Sequence, residues 1–377
     1  MKPADATPSA WGSLFARVPE AGLLLVILVL GLVLAIFGGA VKRPKLERGP
    51  DGERQRVFTT SPDGERSPVF EEVNKFFNAQ NLTQLAKDTS FTAIMAVGAT
   101  FIIIAGGIDL SVGAIYALAS VLGALVFRLY GPEGPHAASP GVGVVLGISV
   151  CAGVAALCGA LNGGMVTLLK VHPFIITLGT MAIFRGIAFV ITTGQSIGGF
   201  PAAFRDLVIW QTAGGLSLVP LAVMLMVALV GGIYLSRLAP GRRIYAVGGN
   251  ELASRYSGIR VGWVKLSVFI FSGLTAGIAA LLNLGYYGAA SSGDGQGYEL
   301  NVIAAAVVGG AGLSGGKGSA LGALLGALII QMINSGIVIL GINQNYSQII
   351  TGVVVIVAVL LDQLNNWVAR RRLTQAT

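Results

Sequence analysis

The sequence predicts an all-α polytopic membrane protein with about ten transmembrane helices. Hydrophobic residues make up 54% of its 377 positions and charged residues only 11%, whereas a soluble domain carries about 25% charged residues. Mean hydropathy is +0.77. The apolar runs are continuous, which argues against a transmembrane β-barrel, because barrel strands alternate apolar and polar residues over about ten positions.

Ten apolar segments are candidates for crossing a bilayer, which takes about 20 residues. The first exceeds the apolar core of about 7–15 residues that a cleaved signal peptide has, and we interpret it as an uncleaved helix. The glycine-rich 299–313 fits least well. The ten segments are 21–41, 90–107, 110–128, 141–165, 173–193, 216–236, 266–288, 299–313, 319–340 and 347–366.

The distribution of charge predicts the orientation of these helices. Segment 237–265 has six basic residues and one acidic residue, and so carries +5 of the net charge of +8. Short loops rich in Lys and Arg remain cytoplasmic, so this local charge indicates a cytoplasmic loop and not a nucleic-acid partner. Six helices precede the loop and four follow it, which places both termini in the cytoplasm.

The spans and the orientation together predict the organisation of the chain. The predicted parts are a cytoplasmic tail (1–20), a first transmembrane helix (21–41), an extracytoplasmic loop with a charged insertion (42–89), a transmembrane core that includes the loop 237–265 (90–366) and a basic cytoplasmic tail (367–377).

The extracytoplasmic loop divides into two parts. Segment 42–66 contains two Pro/Asp-Gly turn signals and is predicted to be a solvated loop. Around 67–88 apolar residues recur at helical spacing, which predicts an amphipathic helix. These apolar residues are Val69, Phe70, Val73, Phe76 and Phe77.

Small residues recur where helices are expected to touch. A small residue stands at every fourth position of one stripe, and such stripes let helix backbones approach in a membrane. The stripe can serve static packing or a sliding interface. Its members are Gly143, Gly147, Cys151, Ala155, Gly159 and Gly163, and Gly318, Gly322 and Gly326 repeat the spacing.

The sequence also contains an internal repeat. Segments 106–125 and 309–328 agree at 11 of 20 positions without gaps. Transporters are often built from internal repeats whose broken helices flank the pathway, so the match favours a transporter.

Motifs typical of enzymes are incomplete in this sequence. The glycines from Gly310 to Gly315 fit a dinucleotide turn, but no acidic residue follows at the ribose-binding distance. The pair Gly316-Lys317 resembles the end of a P-loop, but Gly318 stands where Ser or Thr is required. We therefore expect a transport subunit and not an enzyme, with neither a cofactor nor a metal site, and any ATP hydrolysis would come from a separate subunit.

One short helix is predicted inside the basic loop. Asn250 is a good N-cap, Glu251 suits the first turn and Gly258 suits the position after the helix, which bounds a helix at 251–257. A helix this short is unstable alone, so it needs a surface, either lipid headgroups or a cytoplasmic partner. Its contact side would carry Leu252, Ala253 and Tyr256, with Glu251 and Arg255 at the rim.

Polar residues within the apolar segments are the remaining candidates, because charges in membranes mark functional sites. Asp109 and Arg185 could form an ion pair, or Asp109 could cap the following helix. Four amides could form hydrogen bonds between helices or face a solute pathway: Asn162, Asn283, Gln331 and Asn334.

Five motifs taken together resemble the permease subunits of bacterial ABC importers for monosaccharides, of the ribose/xylose/galactose type. The resemblance covers about 67–366. The motifs are GGIDLSVG (106–113), HPFIITLGTM (172–181) followed by Arg185-Gly186, GGNELASRYSGI (248–259), AAAVVGG (304–310) and LSGGKGS (313–319). Two departures are an insertion at 42–66 that exceeds the family's usual first outer loop, and Ala311-Gly312 in place of a polar pair.

The resemblance implies a permease core in the bacterial inner membrane that forms the pathway for a monosaccharide. It also implies a second permease copy, two cytoplasmic ATP-binding subunits and a periplasmic sugar-binding protein as partners, besides the membrane lipid. The helix 251–257 would then couple the permease to the ATP-binding subunits. The alternative is an ion-coupled secondary transporter of a small polar solute, which the scarcity of membrane carboxylates disfavours.

Overall fold

The computed structural model describes residues 20–48, 54–60, 65–212 and 215–374. All but one residue of the predicted N-terminal tail lie outside this range, and so do the last three residues of the predicted C-terminal tail. The described residues contain thirteen α-helices: α1 Ala21–Phe37, α2 Ala79–Ile104, α3 Val112–Leu129, α4 Pro140–Leu168, α5 Pro173–Thr192, α6 Ala202–Ile209, α7 Leu218–Arg237, α8 Ala239–Gly249, α9 Glu251–Tyr256, α10 Val261–Tyr287, α11 Tyr298–Val308, α12 Ala320–Ile339 and α13 Ser347–Thr374.

Seven of the described helices are long and apolar enough to cross a membrane, namely α2, α3, α4, α5, α7, α10 and α12. Shorter apolar helices lie at Ala21–Phe37, Tyr298–Val308 and Gln344–Leu360. The prediction of an all-α polytopic membrane protein is therefore confirmed. The ten predicted segments fall on these ten helices, but the number of spans and their orientation stay predictions.

Helix α2 forms the centre of the bundle. Its most apolar 18-residue window is 94% buried, and α7, α10, α11 and α12 pack around it. On one side of this group, α4 packs against α10 and α3. A helix enclosed by others in this way can carry polar side chains that lipid would reject.

The stripe of small residues on α4 is buried within the chain. All six of its members are buried. Gly147 lies against the ring of Phe127 on α3, and Gly159 lies against the backbone of Phe269 on α10. The stripe therefore lets α4 approach two helices of its own chain, which supports the packing interpretation.

The described residues between α1 and α2 form three antiparallel strand pairs, which we call the β-hairpins. Strand β1 (Ala40–Pro44) pairs with β6 (Phe70–Asn74), β2 (Leu46–Arg48) with β3 (Arg54–Arg56), and β4 (Phe58–Thr60) with β5 (Arg66–Pro68), all antiparallel. Three backbone bonds close a ring where the hairpins meet. Lys45 N donates to Val69 O at 2.7 Å, Val57 N to Lys45 O at 2.9 Å, and Val69 N to Val57 O at 2.9 Å.

The predicted amphipathic helix at 67–88 is therefore wrong for 67–78, whereas 79–88 form the first turns of α2. Only Phe76 of its five apolar residues is buried, and it packs on Leu34, Leu85, Met332 and Ile339. The helical spacing was misleading because Val69 and Val73 belong to a strand region in which cross-strand pairing satisfies the backbone.

Two asparagines determine where the hairpins end and α2 begins. The Asn74 side chain accepts the N–H groups of Phe76 and Phe77 at 2.9 and 2.8 Å, which closes a turn. Asn78 Oδ1 then accepts the N–H of Asn81 at 2.9 Å as the N-cap of α2. Helix α2 thus starts eleven residues before the predicted boundary at 90, because its first turns are polar and hydropathy does not register them.

The two repeat segments share one architecture with different spacing. Gly106 (φ +81°) follows the end of α2 and Gly310 (φ +92°) follows the end of α11, each in the left-handed conformation that favours glycine. Ser111 precedes α3 and Ser319 precedes α12. The second link is longer by four residues, so the ungapped sequence match does not follow the structural register. A further two-stranded pair, β7 (Ile197–Gly198) with β8 (Ala289–Ala290), joins two other links.

Candidate functional site

Helix α9 has the caps that its sequence predicts. The Asn250 Oδ1 accepts the N–H of Ala253 at 2.9 Å, and Gly258 takes a left-handed φ of +81° after the helix. The Ile259 N–H donates to Ser254 O at 3.0 Å across this turn. Capping at both ends stabilises a helix of only six residues, one residue shorter than predicted.

Helix α9 presents an apolar side to its surroundings. Leu252 is 65% exposed and Tyr256 is 89% exposed, and Ala253 beside them is exposed as well. Ser254 points the other way and is buried. An exposed apolar patch on an otherwise charged segment is typical of an interaction site.

An ion pair attaches α9 to the membrane bundle. The Glu251 carboxylate lies 2.8 Å from Lys265 Nζ at the start of α10 and 3.4 Å from Arg255 within α9. Glu251 was predicted at the rim of a docking surface, and the structure shows that it also holds the helix against α10.

The segment that precedes α9 packs directly on backbone. We call this contact the glycine junction and define it as Ile104, Gly106, Gly248, Gly315, Gly316 and Gly318. A Cβ on Gly248 would overlap the carbonyl oxygen of Ile104, and that oxygen accepts the N–H of Gly316 at 2.9 Å. The Tyr245 hydroxyl of α8 donates to Gly318 O at 2.7 Å. The glycine junction therefore joins α8 to the end of α2 and to the link between α11 and α12.

Asp109 lies in the link between α2 and α3 and binds to the start of α3. Its Oδ1 accepts the backbone N–H of Ser111 at 2.8 Å and the Ser111 hydroxyl at 2.6 Å. Asn162 Nδ2 of α4 donates to the same hydroxyl at 2.7 Å. All three residues are buried. Asp109 therefore binds the N-cap residue Ser111 and not the N–H groups of the first turn of α3, so its capping role stays a prediction.

Arg185 has other partners, so the predicted alternative of an ion pair with Asp109 is wrong. Its Nη1 donates to the carbonyl oxygens of Ser292 at 2.9 Å and Asp294 at 2.5 Å. Arg185 on α5 thus holds the loop between α10 and α11. These two hydrogen bonds could not be predicted from the sequence, because both acceptors are backbone oxygens more than 100 positions further along the chain.

Two of the remaining membrane amides connect helices. Gln331 Nε2 of α12 donates to Thr92 Oγ1 of α2 at 2.8 Å. Asn334 Nδ2 donates to Gln331 Oε1 at 3.3 Å, and Asn334 Oδ1 accepts the Ser347 hydroxyl of α13 at 2.8 Å. Asn283 is 8% exposed, and its side chain makes no hydrogen bond to another described residue.

Sequence reasoning missed a buried charge near the start of α2. Lys87 is 4% exposed and lies 3.4 Å from the Asp88 carboxylate. Its Nζ also donates to the Tyr287 hydroxyl at 3.1 Å and stands 4.2 Å from the centroid of the Tyr286 ring. Two sequence features could have indicated this cluster. The pair Lys87-Asp88 stands just before the apolar segment 90–107, and the pair Tyr286-Tyr287 stands near the end of the apolar segment 266–288.

Long apolar helices that enclose polar side chains and expose a short capped helix at one end define a membrane transport subunit. The family model described as branched-chain amino acid transport system / permease component matches residues 81–359. The chain belongs to this family of ABC importer permeases. It is a multi-pass inner-membrane subunit and not an enzyme, and its family implies ATP-binding and periplasmic binding proteins as partners.

Individual relatives match over the same region. The chain is 41% identical over 289 residues to the D-allose transport system permease protein of Escherichia coli (strain K12), which covers 77% of this chain and 85% of the relative. It is 38% identical to the ribose import permease protein of the same strain, covering 76% and 87%. It is 34% identical to the fructose import permease protein of Rhizobium meliloti, covering 77% and 79%.

Proposed function

We propose that this chain forms the translocation pathway of an ATP-driven importer for a monosaccharide. The relatives at 41%, 38% and 34% identity are named for D-allose, ribose and fructose, which supports a monosaccharide as the solute. The assembly has a second copy of this chain, two ATP-binding subunits on the side of α9, and a periplasmic sugar-binding protein on the side of the β-hairpins, all organised around the lipid bilayer.

The observation that carries the coupling part of this proposal is the exposed apolar side of α9. Exposure of the apolar surface of Leu252 and Tyr256 to water costs free energy unless a partner covers these side chains. The Ala253 side chain between them is small and lets a partner surface come close. We therefore assign this side to a groove of the ATP-binding subunit, with Arg255 at the rim.

A displacement of α9 would be transmitted to the membrane helices through two direct contacts. The Glu251–Lys265 pair passes it to α10, and Gly248 passes it to the end of α2 through backbone contact. Close-packed backbone transmits displacement because no side chain can rearrange to absorb it. ATP-driven closure of the partner subunits would in this way move the helices that surround the pathway.

The experiment is the replacement Ala253→Arg in the full chain, because a long cation in the middle of the apolar side blocks close approach. We expect the variant to reach the membrane at normal levels and to lose the ATP-binding subunit on co-purification, together with sugar-stimulated ATP hydrolysis. The control is Ser236→Arg, the same change of size and charge at an exposed position at the end of α7, which should retain both. Full retention of the ATP-binding subunit by Ala253→Arg would remove the coupling role of α9.

A further inference from the structure

A small polar cleft lies between α2 and α12, near the end of the bundle that carries the β-hairpins. Its volume is about 140 Å³, enough for four or five water molecules at about 30 Å³ each. Leu85 is the single apolar side chain among its lining residues. We call it the amide cleft and define it by its polar lining: Asn81, Gln84, Asp88, Gln331, Asn334 and Ser335.

A lining of this kind is costly within a membrane-spanning bundle. Amides and carboxylates there face the bundle interior or a water-filled space, and they mark solute pathways. Asp88 lies seven residues after Asn81, which places its carboxylate about 10 Å further along the helix axis. The amide cleft therefore extends from the first turns of α2 into the spanning part of the bundle.

The side chains that line the amide cleft are held in position by hydrogen bonds to neighbouring residues. Asn81 Nδ2 donates to Phe76 O at 3.0 Å, and its Oδ1 accepts the Ser335 hydroxyl at 3.0 Å. Gln331 and Asn334 are held by Thr92 of α2 and Ser347 of α13. Groups whose positions are set before a ligand arrives bind it with less loss of entropy.

The charge of the amide cleft is balanced. The Asp88 side chain is 34% exposed and accepts Gln84 Nε2 at 3.0 Å, while the buried Lys87 stands 3.4 Å behind it. A free cation would gain little from this pair, because Lys87 offsets the charge of the Asp88 carboxylate. An uncharged solute with several hydroxyls fits better, because carboxylate and amide oxygens accept from hydroxyls and amide N–H groups donate to them.

We propose that the amide cleft is a contact site for the monosaccharide on its way through the protein, with hydroxyls of the sugar donating to Asp88 and Gln84 and accepting from Asn334. This proposal rests on the function proposed above. It assigns the solute-facing role to Gln84 and Asp88, and it gives Gln331 and Asn334 both interhelical and pathway roles.

The first test uses Gln84→Leu in the complete transporter, reconstituted in vesicles with its ATP-binding subunit and binding protein. Uptake of radiolabelled D-ribose, D-allose and D-fructose is measured beside ATP hydrolysis. For whichever of the three sugars the parent protein imports, we expect uptake to be about three- to tenfold slower, as for one lost hydrogen bond. The rate of ATP hydrolysis should stay within about twofold of the parent rate. The control is Leu82→Ala on the neighbouring exposed surface of α2, which should change neither rate.

The outcomes separate the two proposals. A parallel fall of uptake and ATP hydrolysis in Gln84→Leu would indicate a structural role and overturn the cleft as a sugar site, and so would unchanged uptake. ATP-driven uptake of none of the three sugars by the parent protein would overturn the monosaccharide assignment and the ligand of the cleft together.

A second test asks whether the amide cleft is open to water and occupied by sugar. Gln84→Cys should react with a membrane-impermeant thiol reagent added on the outer side, at least threefold more slowly while the transporter turns over its sugar. The native Cys151 and Cys158 are buried and give little background. Ile349→Cys, on the exposed side of α13 beside Ser347, is the control and should show no such protection. Absence of labelling at position 84, or labelling that the sugar leaves unchanged, would overturn the proposal.

Discussion

The two ends of the bundle are built from different kinds of contact. At the glycine junction backbone rests on backbone, with Gly248 against Ile104 O and Gly316 beside it. At the amide cleft side chain meets side chain, because Ser335 of α12 donates to Asn81 of α2 and Gln331 of α12 donates to Thr92 of α2. Backbone contact tolerates no added atom and suits the transmission of force. A polar side-chain network offers donors and acceptors that a solute can share.

The largest effect is expected from Gly248→Ala, which tests whether the glycine junction depends on backbone contact. The added methyl overlaps a carbonyl oxygen that already accepts a hydrogen bond, so the backbone must shift at a cost of about 3 kcal/mol or more. Thermal unfolding of the purified protein measures the loss. Gly249→Ala is the matched control, because a Cβ there meets nothing within 4 Å. If Gly248→Ala and Gly249→Ala are equally stable, the glycine junction does not depend on backbone contact.

Helix α9 and the glycine junction also differ in how well sequence predicts them. Asn250 accepts the N–H of Ala253 three positions on, and the turn at Gly258 lets Ile259 donate to Ser254, so the local sequence determines both ends of α9. The glycine junction joins Ile104 to Gly248 and Gly316, and no local pattern states which glycines will meet. Its glycines were recognised as parts of three separate motifs, beginning at positions 106, 248 and 313, and not as contacts of one another.

The amide cleft and the hairpins were beyond local patterns for a related reason. Gln331 was a candidate because it interrupts an apolar run, whereas Gln84 and Asp88 lie in the polar stretch for which an amphipathic helix was predicted. How far such a helix is buried depends on its partners from α12, which lie about 240 positions further along the chain. Asp109 was predicted more fully, since its acceptor Oδ1 binds a residue only two positions on.

The second prediction extends the backbone rule along α4. Gly159→Leu places a side chain against the backbone of Phe269 on α10, and overpacking of this kind costs about 1–3 kcal/mol. Gly153→Leu on the same helix meets nothing within 4 Å and should be tolerated. The yield of assembled protein after gentle solubilisation is the measurement. Normal assembly of Gly159→Leu would restrict tight backbone packing to the glycine junction.

The third prediction concerns the cap of α9. Asn250→Ala removes the acceptor for the Ala253 N–H and should destabilise α9 by about 1 kcal/mol. Because α9 is proposed to dock the ATP-binding subunit, affinity for that subunit should fall about fivefold, as titrated with the purified subunit. Asn250→Asp retains an acceptor oxygen and should restore most of the affinity. Failure of Asp to restore it would mean that the amide itself contacts the partner.

The smallest effect is expected from the single substitution Asp109→Asn, at a site whose surroundings combine both kinds of contact. Its Oδ1 accepts the N–H and hydroxyl of Ser111, but its Oδ2 is buried without a hydrogen bond among the described residues, and so is Asn162 Oδ1. In Asp109→Asn the accepting oxygen is retained, and the new amide group replaces a carboxylate oxygen that makes no hydrogen bond among the described residues. The change should therefore alter stability by less than about 1 kcal/mol.

Asp109→Leu is the contrasting variant and should cost about 2–3 kcal/mol, because it leaves two buried donors of Ser111 unpaired. Thermal unfolding of the three proteins under one condition gives the order. We expect Asp109→Asn to be nearly as stable as the parent and Asp109→Leu to be much less stable than both. This is the pattern for a residue that holds the start of α3 through hydrogen bonds. If Asn is as damaging as Leu, the negative charge of Asp109 is itself required.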